Sequence, residues 1–224
     1  LIGYTNMGSI NICDITVNIK GNTATRNKNI GGIVGYSNSK LSKSSAKGKI
    51  INNSNQVVEE NIGGLVGYGD RLVNTSFSNM NIESNSQGNI GGLIGSAVEC
   101  GATMIEKSYS MGSIKVEIEN GSGNIGGLVG MATKTGGMMD LEDSYSTTNI
   151  TANLGETTSI VGGIIGSSKN VEISNTYVIG KINITGNNAK IGGILGDDNG
   201  KTTITNSYCA NEICGVTAYN DRLV

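Results

Sequence analysis

Proline, histidine and tryptophan are absent from this chain, and phenylalanine occurs once. Each absence excludes something. Proline cannot donate to a strand ladder and stays out of central strands, so a 224-residue chain without it suits an architecture in which nearly every strand is central. Without histidine there is no His-Glu-x-x-His zinc site and no Ser-His or Cys-His pair, which excludes peptidase chemistry of those kinds. No apolar run approaches the roughly 18 residues of a membrane-spanning helix. Charge is sparse and balanced, 16 basic against 18 acidic residues for a net of −2. It is scattered, with no basic stripe for nucleic acid and no charged tail. The chain begins at Leu1 and opens on no signal-type segment, so it reads as a piece of a longer protein.

What the chain has is glycine, 35 residues of it, in a repeating setting. Six times a glycine pair is followed by two large aliphatics and another glycine, with the pairs opening at Gly31, Gly63, Gly91, Gly126, Gly162 and Gly192. Successive pairs lie 32, 28, 35, 36 and 30 residues apart, a period that marks stacked supersecondary units. A second register accompanies it: Phe77, Tyr109, Tyr145, Tyr177 and Tyr208 are each followed five residues later by isoleucine, at Ile82, Ile114, Ile150, Ile182 and Ile213. Ser45 with Ile50, and Thr5 with Ile10, keep the spacing without the ring.

Apolar residues within a unit alternate with polar ones, as in Ile114, Val116 and Ile118 against Lys115, Glu117 and Glu119, which is strand periodicity. No stretch carries a capped helical stripe. These observations predict an all-β, right-handed parallel β-helix over residues 1–224. It should have about seven coils of roughly 30 residues with three short strands each, coils about 4.8 Å apart, and stability additive per coil. Stacking then converts each repeated residue into a file. The isoleucines from Ile10 to Ile213 should form one buried file and the rings another, with the ring hydroxyls at its edge. Asn29, Asn61, Asn89 and Asn124 should bond side chain to backbone from coil to coil. The glycine pairs read as sharp corners needing positive φ or close backbone approach. A phosphate loop is the alternative, but the motif lacks the Lys-Ser/Thr and the following helix that such a loop requires.

These residues resemble the GLUG motif, a short repeat with a Gly-Leu-x-Gly core flanked by a Ser-Tyr-Ser-x-Gly-x-Ile/Val stretch. Ser108-Tyr109-Ser110-Met111-Gly112-Ser113-Ile114, followed by Asn124-Ile125-Gly126-Gly127-Leu128-Val129-Gly130, is a close copy. The resemblance implies a parallel β-helix scaffold from a large secreted or surface-attached bacterial protein of adhesin type, with no catalytic residue in the motif.

Candidate chemistry is thin. Asp140-Glu142-Asp143 and Asp197-Asp198 are the local acid clusters; both read as solvated loop charge, and two coils separate them, too far to act on one glycosidic bond. Asp197-Asp198-Asn199-Gly200 reads as a turn rather than a cation loop. Cys13, Cys100, Cys209 and Cys214 follow no repeat register and read as free thiols, with a Cys209–Cys214 disulfide as the alternative. Sequons at Asn52, Asn74, Asn120, Asn149 and Asn183 are what an Asn/Ser/Thr-rich chain produces by chance. No catalytic, cofactor or metal site is assigned. The expectation is a non-enzymatic extracellular or cell-surface scaffold that binds a host or cell-surface protein or glycan through variable loops 36–43, 96–105 and 131–140. Two alternatives are a filament subunit built by end-to-end coil stacking and a carbohydrate-active β-helix enzyme.

Overall fold

The computed structural model describes residues 2–21, 29–53, 60–119, 121–155, 157–186 and 188–214. Among them there is no helix, hence none long and apolar enough to cross a membrane, and the strands pair in parallel. The chain winds as a β-solenoid of about six turns, about 32 residues apart, close to the expected seven coils.

Three sheets form its faces. The glycine face stacks Asn29–Gly31, Glu60–Gly63, Gly88–Gly91, Gly123–Gly126, Ser159–Gly162 and Ala189–Gly192 in chain order. The second face begins with Ile2–Asn11 and continues past the first glycine corner with Val34–Ser42, which pairs both Val66–Gly69 and Val73–Asn74. Later turns keep this two-segment form, as in Ile94–Val98 with Thr103–Glu106 and Val129–Thr133 with Met139–Glu142. The third face stacks Asp14–Gly21, Ser45–Asn52, Phe77–Ser84 and Tyr109–Ile118, then pairs of shorter segments from Tyr145 onward. Three strands per coil therefore holds only where no residues intrude. Elsewhere extra residues such as 99–102 and 134–138 leave the ladder between two segments of one face.

The first coil departs from the expected register. Thr5 lies opposite Ser37 and Ile10 opposite Leu41, both on the second face. The third-face positions belong to Asp14, opposite Ser45, and Ile19, opposite Ile50, which have the same spacing of five. The isoleucine file therefore runs from Ile19 to Ile213, and Ile50, Ile82, Ile114, Ile150 and Ile182 are buried within it. Cys13 locates the intervening corner, because its N–H donates to Ser44 Oγ at 3.0 Å.

The two kinds of corner divide the labour in an unexpected way. The paired glycines have ordinary φ; the requirement is space. A Cβ on Gly63 would lie 1.9 Å from the Val66 carbonyl oxygen, and one on Gly64 2.1 Å from that of Gly92 in the next turn. At the first five glycine corners two consecutive N–H groups converge on one carbonyl of the following turn, as Leu65 and Val66 do on Leu93. Left-handed φ is needed instead at the corner between the second and third faces. It is occupied there by Ile12, Lys43, Thr75, Lys107, Asp143, Asn175 and Asn206, with φ from 47 to 55°.

A hydroxyl ladder holds that second corner. Ser44, Ser76, Ser108, Ser144, Thr176 and Ser207 each follow a left-handed residue, and each donates to the carbonyl two residues back at 2.7–2.8 Å. The Ser76, Ser108, Ser144 and Ser207 oxygens also accept an N–H from the preceding turn at 3.1 Å. Cys13 occupies the serine position of the first coil, so it does follow the repeat, contrary to the expectation. Cys209 does too, one rung beyond Val178.

The asparagine file also forms differently. Asn61, Asn89 and Asn124 donate from Nδ2 to the Oδ1 of the preceding asparagine at 2.8–2.9 Å. The bonds are side chain to side chain because the backbone groups of these strands are already used in the ladder.

Candidate functional surface: the ring column and the outer carboxylates

Strand alternation on the third face turns Ser78, Ser110 and Ser146 inward and the neighbouring rings outward. Phe77, Tyr109, Tyr145, Tyr177 and Tyr208 stack as one column with centroids 4.7–5.5 Å apart and ring planes within 10°. The expected buried ring file is thus a surface one: the first four rings are half-buried and Tyr208 is 58 % exposed. Stacked rings cover each other's faces and present edges, so the column offers a line of phenolic hydroxyls. Burial, then the neighbouring phenols of Tyr109 and Tyr177, raises the Tyr145 hydroxyl pKa above its ordinary value.

A second column, not anticipated from the repeat, stacks Tyr4, Tyr36 and Tyr68 on the second face at 5.2 and 4.9 Å. Its signal was present, since Tyr36 and Tyr68 each directly follow the third glycine of their motif. Tyr4 precedes the first glycine pair and so fell outside the pattern.

The acid clusters lie mainly on strands, a correction to their reading as loops. Asp140 and Glu142 belong to the outward side of Met139–Glu142, and Asp197 and Asp198 end Leu195–Asp198. Stacking gives the first cluster company from other turns: Glu106 lies opposite Glu142, and Asp140 opposite Glu172. Glu106 is held below the usual carboxylate range by its bond from Lys107, aided by the Asn74 amide. Asp143 sits at the corner with φ 50° and accepts Asn175 Nδ2 at 3.0 Å. Asp197 pairs with Lys190 at 2.8 Å. Asp198 accepts Gly200 N–H at 3.1 Å and the Thr202 hydroxyl at 2.8 Å, so the Asp-Asp-Asn-Gly segment is a self-capped turn.

The loops expected to recognise partners are shorter than read. Residues 36–43 fall largely within the strand Val34–Ser42, and 96–105 and 131–140 contract to 99–102 and 134–138 between strands. The latter two brace each other: Lys134 Nζ donates to the Cys100 and Gly101 carbonyls at 2.8 Å, and Glu99 accepts the Thr135 N–H and hydroxyl.

Among the described residues one acid is buried outright, and sequence reasoning did not find it. Glu60 accepts from Asn52 Nδ2, which also donates to Ser86 Oγ at 3.1 Å, while Ser84 and Ser86 share a bond of 2.7 Å. Among the described residues, one Glu60 oxygen and Asn52 Oδ1 find no hydrogen-bond partner. Asn52 is fully buried, so its sequon offers no glycan acceptor in this fold; Asn120 lies outside the described residues. Among the described residues no group of three or more His, Cys, Asp or Glu side chains is placed to hold a metal ion. All four cysteines are free thiols. Burial, ahead of the Asp70 charge, pushes the Cys100 thiol pKa up to about 12.

Compared with protein-family models, with curated proteins and with solved structures, the chain finds no match.

Proposed function

We propose that this chain is a non-catalytic scaffold of an extracellular or cell-surface protein, of the adhesive GLUG-repeat kind that its motifs resemble. One observation carries the reading: the repeated residues are used up in holding turn to turn. The glycine pairs admit neighbouring backbone, the serines and asparagines bond along the stack, and the isoleucines fill the interior. What differs between turns is what the outer faces display, and display is the work of an adhesive surface.

The purified chain should bind saturably to intact cells or to immobilised extracellular glycoproteins. A chain that coats neither would remove the adhesive reading. Incubation with a polysaccharide panel should give no turnover. Cleavage that disappears in Asp143→Asn, Glu142→Gln or Asp197→Asn would instead make the protein a carbohydrate-active enzyme.

A second reading, end-to-end association of copies, is favoured by the first coil, where Ile2, Tyr4 and Met7 are 36 to 77 % exposed on the strand Ile2–Asn11, one edge of which is unpaired among the described residues. Sedimentation should then show mass rising with concentration, and a constant monomer mass at high concentration would end it.

A further inference from the structure

The third-face ring column stops at Phe77, and the rung beyond it is vacant. Ser45 lies opposite Phe77 and Asp14 opposite Ser45, so the next two positions in the ring register hold no ring. A hollow of about 230 Å³ takes their place, lined by Asp14, Ile15, Thr16, Ser45, Lys47 and Phe77. Ser45 is its floor, 3 % exposed, and donates to Asp14 Oδ1 at 2.6 Å. Lys47 leans in from one side with its ammonium 5.7 Å from the Phe77 centroid, and it forms no ion pair among the described residues. The inner rings of this column have each face covered by a neighbour. Phe77 turns one face into the hollow and has no hydroxyl of its own.

The lining selects an occupant. A flat apolar face one rung thick calls for a ring, while the rim offers a carboxylate acceptor at Asp14 and a cationic donor at Lys47. An aromatic ring would leave both polar groups unused, and an acidic sugar would meet Asp14. A neutral pyranose satisfies all three, with axial C–H groups on Phe77, one hydroxyl donating to Asp14 and another accepting from Lys47. The ammonium must swing off the ring, which is cheap because cation–π contacts at exposed sites are weak. We propose that this hollow is a subsite for one neutral hexopyranose unit of a glycan. The inference rests on the adhesive reading and names the chemistry of its ligand.

The test uses methyl glucoside, methyl galactoside, methyl mannoside and N-acetylglucosamine, titrated into the whole chain with saturation-transfer NMR as readout. One small ring in a shallow site should bind with a Kd on the order of 1 mM. Ser45→Tyr supplies the missing ring, so it should weaken binding at least about tenfold while holding or raising the melting temperature. Asp14→Asn should weaken binding about tenfold, a typical charge-assisted contact. Binding that survives Ser45→Tyr unchanged, or no binding by any of the four sugars, overturns the subsite. A chain that coats cells yet binds none of these sugars loses the subsite and keeps the adhesive reading; failure on both counts removes both.

Discussion

Gly127 and Ser146 meet across the inside of a single turn: a Cβ on Gly127 would lie 2.5 Å from the Ser146 hydroxyl and 2.0 Å from the Gly163 carbonyl of the next turn. The same seam joins Gly64 to Ser78, Gly92 to Ser110 and Gly193 to Cys209. The two halves of the repeat motif therefore form one contact, which is why a small residue follows the ring in the other turns, Val178 against Gly163 being the exception. Gly127→Ala should cost about 3 kcal/mol, the upper end for overpacking, because backbone and not a mobile side chain is in the way. Trimming the hydroxyl with Ser146→Ala should not restore it. Gly101→Ala is the control: nothing lies within 4 Å of its added Cβ, so it should stay within about 0.5 kcal/mol of the parent. Urea denaturation of the three variants decides.

The corner at Thr75 holds a β-branched residue at φ 48°, where L-residues lose roughly 1–2 kcal/mol and asparagine loses least. Equivalent corners of later turns carry Asn175 and Asn206. Thr75→Asn should therefore stabilise the chain by about 1 kcal/mol. A variant no more stable than the parent in urea would show that the corner bond from Ser76 to the Asn74 carbonyl already relieves the strain.

Those corners show where sequence reading stops. The period, the parallel stacking and the isoleucine file were legible because each repeats one residue type at a fixed offset. The left-handed position was not, because Lys43, Thr75, Lys107, Asp143 and Asn175 share a conformation and no chemistry. Its only trace is the Ser or Thr that follows. Ring orientation was legible and misread: an offset of five is odd, so a ring five residues before an inward isoleucine must face outward. The vacant rung at Ser45 could be seen as a missing ring, but the hollow needed Asp14 in its true register, which the Thr5–Ile10 alignment concealed.

The asparagine file gives a prediction about position along the rod. Asn89 donates to Asn61 and accepts from Asn124, whereas among the described residues Asn29 accepts from Asn61 alone. Removing the middle rung strands two partners and removing the outer rung strands one. At about 1 kcal/mol per lost bond, Asn89→Ala should cost about twice as much as Asn29→Ala. Equal urea midpoints for the two variants would mean that water replaces the ladder without loss.

Cys100 should make the fold sensitive to alkali. It is 1 % exposed, and burial is the main reason its thiol pKa rises from 9.0 to about 12. A raised folded pKa means that the native state holds its proton more tightly than the unfolded chain does. The resulting stability is fully present below about pH 9 and drains away as pH climbs towards about 12. Across that window one such group contributes a slope of up to about 1.4 kcal/mol per pH unit. Tyr68 and Tyr145, also raised by burial, add slopes of the same sign, so the parent alone cannot isolate the thiol. The difference between the parent and Cys100→Ala can. Their urea midpoints should run parallel from pH 7 to pH 9 and converge above it, as the parent loses what the variant never had. A gap that stays constant to pH 10.5 would show that the thiol ionises freely in the native fold. The same burial predicts that a thiol reagent labels the exposed Cys209 at once and Cys100 only when the chain unfolds.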